Sequence, residues 1–151
     1  SDKIEKFIPA QKGKTHVLHI IRELLSFEPS STGTDIAQAL QYFSNAQKRH
    51  CTAFIISDFI GAGNMYQPLM IASNRHEINA IQIYDRREAE LPNIGLVKFH
   101  DAETCNDIWV DTAITSVRNN YAQAWLNNQN ELQQLFTRTG VDHISVRTDE
   151  D

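Results

Sequence analysis

Phe54-Ile-Ile-Ser-Asp-Phe59 is an apolar run closed by a carboxylate, and its reading decides the fold. Extended back to Thr52, the run is apolar on both faces, which is the pattern of a central strand in a parallel sheet. Gly61 and Gly63 mark the exit from that strand, and a short helix near Met65–Asn74 leads to a second strand, Ile78–Tyr84. Upstream, Thr32-Gly-Thr-Asp-Ile-Ala-Gln-Ala-Leu40 is a polar, glycine-broken loop opening an amphipathic helix. That helix is predicted from Asp35 to Gln47, with Ile36, Ala39, Leu40 and Phe43 on its buried face. Strand, helix and strand in succession imply right-handed crossovers and a parallel sheet covered on both sides.

Outward from this centre, Val17, Ile20, Ile21, Leu24 and Leu25 share one face of a helix over Lys14–Phe27. Pro29 and Ser30-Ser-Thr-Gly33 break it, and Ile4–Ile8 reads as a short strand ended by Pro9. Asp85–Asn93 is a charged loop. Ile94–His100 and Asp107–Val110 are predicted strands of a hairpin outside the parallel core, around Asp101-Ala-Glu-Thr-Cys-Asn106. A long helix is expected over Thr115–Thr139, with Val117, Tyr121, Ala124, Trp125, Leu132, Leu135 and Phe136 inward. Gly140 suits its left-handed end, and Val141–Val146 forms the last strand. The amides Asn127-Asn-Gln-Asn130 read as a solvated face of that helix.

Composition narrows the function. At 151 residues one domain and one core are expected, and 41% apolar with 22% charged residues fits a globular chain. No apolar stretch reaches the roughly 20 residues that cross a bilayer. The net charge of −5 argues against a phosphate-tracking surface, so no nucleic-acid partner is expected. Lys48 and Arg49 close a helix, where cations suit the dipole. Cys51 and Cys105 stand far apart with no ligand spacing and no evident basic partner. Reduced thiols of a cytoplasmic protein account for them. His16 and His19 share a helix, yet one i,i+3 pair does not make a zinc site.

Three residues carry the candidate chemistry. Asp58 ends the apolar strand, where open α/β sheets bind ligands, and the competing role is to cap the turn that follows. Thr34 supplies a hydroxyl at a helix entrance, where Thr32 could cap instead, with Asp35 in the first turn. A second reading is a nucleotide-dependent enzyme built on the Gly61-Ala-Gly63 turn, with Asp85 ending the next strand at the spacing of a ribose-binding acid. The third glycine of that fingerprint is missing, since Gln67 or Pro68 stands in its place.

The two opening motifs look like the second and third motifs of a von Willebrand factor A-like domain. The likeness extends along the chain through Ser1-Asp-Lys-Ile-Glu-Lys-Phe-Ile-Pro9, Ile20-Ile-Arg-Glu-Leu24, Ile56-Ser-Asp-Phe59, Tyr84-Asp-Arg-Arg-Glu88, Asp101-Ala-Glu-Thr104, Val110-Asp-Thr112 and Arg147-Thr-Asp-Glu-Asp151. This succession resembles a bacterial family of von Willebrand factor A-like proteins, often encoded near MoxR-type AAA+ ATPases. The resemblance implies a truncated three-layer, Rossmann-like fold with an added β-hairpin. It also implies a non-enzymatic interaction module with a MoxR-type partner and a client protein. Thr34 matches the metal-contacting threonine, and Asp58 the third-motif aspartate that acts through water.

The first motif, Asp-x-Ser-x-Ser, is absent from the sequence, so the chain is expected to be a C-terminal fragment with a partial metal site. Mg²⁺ or Mn²⁺ would then bind the parent protein and bind the fragment poorly, because octahedral coordination needs several fixed oxygens. Without the strand that carries the first motif, Thr52–Ser57 would lose a neighbour. The fragment is therefore expected to self-associate.

Overall fold

The computed structural model describes residues 3–30, 33–61, 63–100 and 106–149. Along the chain the elements are α1 (Lys14–Ser26), α2 (Ile36–Ala46), β1 (Thr52–Ser57), α3 (Tyr66–Ser73), β2 (Glu77–Tyr84), α4 (Arg86–Ala89), β3 (Leu96–His100), β4 (Asp107–Asp111), α5 (Thr115–Thr139) and β5 (Asp142–Arg147). β1, β2 and β5 form a parallel sheet in that order, and β3 and β4 form a separate antiparallel hairpin. The mixed α/β class, the three parallel strands and the added hairpin are those expected from the sequence. No described helix is long and apolar enough to cross a membrane.

Strand order determines where the helices lie. β1, β2 and β5 are laid down in one direction across the sheet, so right-handed crossovers place α3 and α5 on the same face. α2 joins them there. One core results, built from Ile36 and Leu40 of α2, Met65, Leu69 and Ala72 at α3, Ile78 and Ala80 of β2, and Leu132 and Phe136 of α5. The opposite face carries Phe54, Ile56, Ile83, Ile144 and Val146, all exposed. Among the described residues the sheet is therefore covered on one side, where cover on both was expected.

Thr52–Ser57 is not the central strand its apolar faces suggested; it lies at an edge, as expected of a strand that loses a neighbour. β1 and β5 are the edges, with Phe54 63% and Ile56 62% exposed, and β2 occupies the middle. An apolar run reports capacity for burial, and its neighbours decide whether the burial happens. The helix α1 teaches the same lesson. It forms nearly where predicted, yet none of its residues is buried, and Leu24 and Leu25 are among the most exposed apolar side chains.

Residues 4–8 are not a strand. Their side chains instead bind the α1 region: Lys6 pairs with Glu23 and lies 5.6 Å from the Phe27 ring centroid, and Glu5 accepts the Ser30 N–H at 2.8 Å. The charged loop after β2 contains α4, held by a capping box in which Asp85 accepts from Arg87 N–H at 2.8 Å and Glu88 accepts from Asp85 N–H at 3.1 Å.

α5 has the limits the sequence predicts, and Val117, Tyr121, Trp125, Leu132, Leu135 and Phe136 are at least half-buried; Ala124 is exposed. Asn128 and Gln129 of the amide run are half-buried too, so only Asn127 and Asn130 are solvated as expected. Gly140 ends the helix at φ 66°, ψ 30° with open space around the position of a Cβ. Substitution there meets backbone strain without a clash. Gly140→Ala should cost about 1 kcal/mol of stability in urea titration with an unchanged m-value.

Candidate functional site

At the carboxyl end of β1 the chain turns sharply. Ser57 Oγ accepts from Phe59 N–H at 3.0 Å, and Asp58 Oδ1 accepts from Ile60 N–H at 3.0 Å. Such turns are what short polar side chains build where a strand stops. Phe59 pays for the geometry with φ 59°, the only positive φ at a non-glycine residue among those described. Its ring holds it there: Phe59 is 2% exposed and meets Phe136 edge-to-face, with centroids 5.4 Å apart. A strained backbone beside an exposed carboxylate is the type of feature that clusters at ligand sites.

Gln82 anchors this turn from below. Buried in β2, it donates from Nε2 to the Asp58 carbonyl at 3.3 Å and accepts from Ser145 Oγ at 3.0 Å on β5. One amide thus ties the ends of all three strands. The sequence carried a signal for it, a single glutamine between Ile81 and Ile83, which the strand reading passed over.

Asp58 takes the capping role foreseen for it. Oδ1 is used in the turn, while Oδ2 receives no hydrogen bond from a described residue. Thr34 is half-buried and lies ahead of α2, whose N-cap is Asp35, accepting Gln38 N–H at 2.8 Å. Capping by Asp35 corrects its expected place inside the first turn. Thr32, the other expected cap, lies outside the described residues. The short connection over residues 47–51 returns the chain from α2 to β1, so α2 runs against β1 and its start lies toward the end that carries Asp58. Hydroxyl and carboxylate oxygens are hard donors that suit Mg²⁺ or Mn²⁺, but two of them fill part of an octahedral shell. Among the described residues no group of three Asp, Glu, His or Cys side chains is placed to hold a metal ion.

The elements of the nucleotide reading line different clefts. Gly61 and Gly63, with Phe59, Met65 and Leu132, border one of about 410 Å³. Asp85 borders another of about 800 Å³ with Arg86, Arg87, Leu91 and Pro92. Its carboxylate is already engaged by Arg87 N–H and, at 3.3 Å, by the Thr148 hydroxyl. Beside it, Tyr121 donates to the Arg87 carbonyl at 3.2 Å; burial, aided by the nearby Glu88 charge, raises the phenol above its ordinary pKa.

Cys51 does have a basic neighbour. Its Sγ lies 3.6 Å from Nδ1 of His76, a ring 3% exposed and packed edge-on against Phe43. The two lie 25 residues apart, and β1–β2 pairing aligns them at the strands' amino ends, opposite the Asp58 turn.

Together these features define an α/β domain with a parallel sheet, an Asp58–Gln82–Ser145 cluster toward the carboxyl ends of its strands and a Cys51–His76 pair at their amino ends. The chain belongs to the DUF58 family, whose description is "Protein of unknown function DUF58" and whose model matches residues 1–131. Uncharacterized protein Rv1480 of Mycobacterium tuberculosis is 31% identical over 148 residues, covering 95% of this chain and 46% of the relative. Uncharacterized protein Mb1516 of Mycobacterium bovis matches to the same extent. Uncharacterized protein MAV169 of Mycobacterium avium is 30% identical over 148 residues, or 86% of its length. The chain thus spans about half the length of the first two relatives. No solved structure gives a significant match.

Proposed function

We propose that this chain is part of a von Willebrand factor A-like, non-enzymatic interaction module of the cytoplasm. In this reading it acts with a MoxR-type AAA+ ATPase in the assembly or maturation of a client protein. The observation that carries the reading is the Asp58 turn, a carboxylate at the carboxyl end of a parallel strand whose Oδ2 receives no hydrogen bond from a described residue. Thr34 would contact Mg²⁺ or Mn²⁺ directly and Asp58 through water, with further oxygens from an Asp-x-Ser-x-Ser segment. When bound, the ion would offer an open coordination position to an acidic group of the partner. The residues of this chain supply orientation: Gln82 and the Phe59 ring hold the turn, and the Asp35 cap holds the start of α2.

The test is calorimetric. Mn²⁺ is titrated into a family member that carries both an upstream Asp-x-Ser-x-Ser segment and this region, and into its Asp58→Ala variant. Affinity should fall at least tenfold, about 1.4 kcal/mol. Equal affinities would remove Asp58 from the site. Capture of the ATPase that survives chelation of the metal would count against metal-dependent recognition.

A further inference from the structure

Cys51 and His76 form a pair that the Asp58 turn does not involve. Each stands just ahead of a strand, Cys51 before β1 and His76 before β2. The Cys51 carbonyl accepts Glu77 N–H at 3.0 Å, which locks the two strand entrances together, and Sγ lies 3.6 Å from Nδ1 of His76. His76 N–H donates to the Ala72 carbonyl at 2.9 Å, and Phe43 of α2 meets the imidazole edge-on with centroids 4.8 Å apart. Backbone bonding and packing thus hold the ring without using either of its nitrogens.

The ring is buried, yet Nε2 has no hydrogen-bond partner. Buried polar groups in folded proteins are nearly always satisfied, and an exception calls for a reason. An apolar ring would fill the same space without leaving a nitrogen unsatisfied. Among the described residues the Cys51 thiol is the one polar partner of this imidazole. A nitrogen base within reach of a thiol is the arrangement that activates a nucleophile.

The surroundings of the sulfur point the same way. Cys51 is half-buried and not sealed in the core. Lys48, Arg49 and His50 lead directly into it, and among the described residues neither Lys48 nor Arg49 is paired with a carboxylate. The Gln47 amide donates to the Arg49 carbonyl at 2.8 Å and shapes this basic loop. Glu77, the acid next to His76, accepts from the Thr52 hydroxyl at 2.9 Å. Partly accessible thiols in electropositive surroundings are the reactive ones, whereas thiols sealed in apolar cores are inert.

We propose that Cys51 is a thiol-modification site that takes up an anionic low-molecular-weight disulfide, with His76 as the proton carrier. The thiol proton passes to Nδ1 as Sγ attacks one sulfur of the disulfide. A new S–S bond forms to Cys51, the S–S bond of the reagent breaks, and the departing thiolate takes the proton from Nδ1. Protein thiol and disulfide become a mixed disulfide and one free thiol. The disulfide is the only oxidant required. The basic loop favours a reagent that carries carboxylates.

Glutathione disulfide is the probe. Cys105→Ser, a change outside the described residues, leaves one thiol to follow by mass spectrometry. The mixed disulfide should form at least tenfold faster in the folded chain than in the same chain unfolded in urea. At low salt that acceleration should be severalfold smaller for bis(2-hydroxyethyl) disulfide, a neutral reagent. The gap should close in 1 M NaCl, where the Debye length is about 3 Å. His76→Gln keeps a polar side chain but carries no base. It should slow disulfide exchange at least tenfold and slow alkylation by iodoacetamide less, because alkylation expels iodide and needs no proton returned. A change of access alone would slow both in the same proportion. Circular dichroism checks that the variant folds; should it not, the two comparisons with His76 in place decide. A folded chain that reacts no faster than the unfolded one overturns the proposal. So does an acceleration equal for the charged and neutral disulfides at low salt, or a folded His76→Gln variant in which exchange and alkylation fall together.

Discussion

Phe136→Ala should destabilise the chain by about 3–5 kcal/mol, the largest effect expected of any single substitution considered for this protein. Phe136 is 1% exposed, sits in the last turns of α5, and touches both Phe59 and the ring of His143, at centroid distances of 5.4 and 5.1 Å. Truncation removes a buried ring and leaves a cavity where α5, the Asp58 turn and β5 meet. A domain has about 5–15 kcal/mol of stability to lose, so the variant should be substantially unfolded a few degrees above room temperature. Urea titration by circular dichroism reads the loss. Leu126→Ala, on the same helix but 53% exposed, should stay within about 1 kcal/mol of the wild type. The substitution also bears on function. Phe59 keeps its positive φ because its ring is held, so Phe136→Ala should loosen the turn that presents Asp58, seen as faster amide exchange at Ile60.

Thr112→Val should cost about 2 kcal/mol although it hardly alters shape. Thr112 is 1% exposed, and its hydroxyl accepts from Ile94 N–H at 3.0 Å while donating to the Gly95 carbonyl at 2.7 Å. Valine replaces that hydroxyl with a methyl group and leaves the Ile94 N–H without its acceptor, while the Gly95 carbonyl keeps only the residue-112 backbone N–H at 2.8 Å. The hairpin hangs on this point. β3 and β4 pair with each other and not with the main sheet, and a two-stranded ribbon alone is marginally stable. Arg118 braces the same corner by donating to the Thr112 carbonyl at 2.5 Å and the Ala113 carbonyl at 3.0 Å. Tryptophan fluorescence from Trp109 on β4 should report loosening of the hairpin at lower urea than the main transition. Coincident transitions would show that Thr112 secures the whole domain instead.

Elements whose own residues carry the pattern were legible. α5 has inward apolar positions spaced over 25 residues and a glycine after its end, and its limits are those of the structure. β2 was legible for the same reason, as a run of β-formers between turn signals. The Asp58 turn was half legible. A carboxylate at a strand's end was visible, but Gln82 beneath it is contributed by another strand and looked like a stray polar residue. Cys51 and His76 were read as separate residues because only strand pairing makes them neighbours.

The sequence by itself determined the class of this domain, the order of its strands and helices along the chain, and the residue types present at its candidate site. Tertiary structure alone decided that β2 lies in the middle of the sheet and that α2, α3 and α5 share one face. It also left α1 and the Phe54–Ile56 side of the sheet exposed. The physical reason is the range of the information. Periodicity and turn chemistry are written over a few neighbouring residues, whereas strand order and burial depend on which distant segments are there to pair and pack.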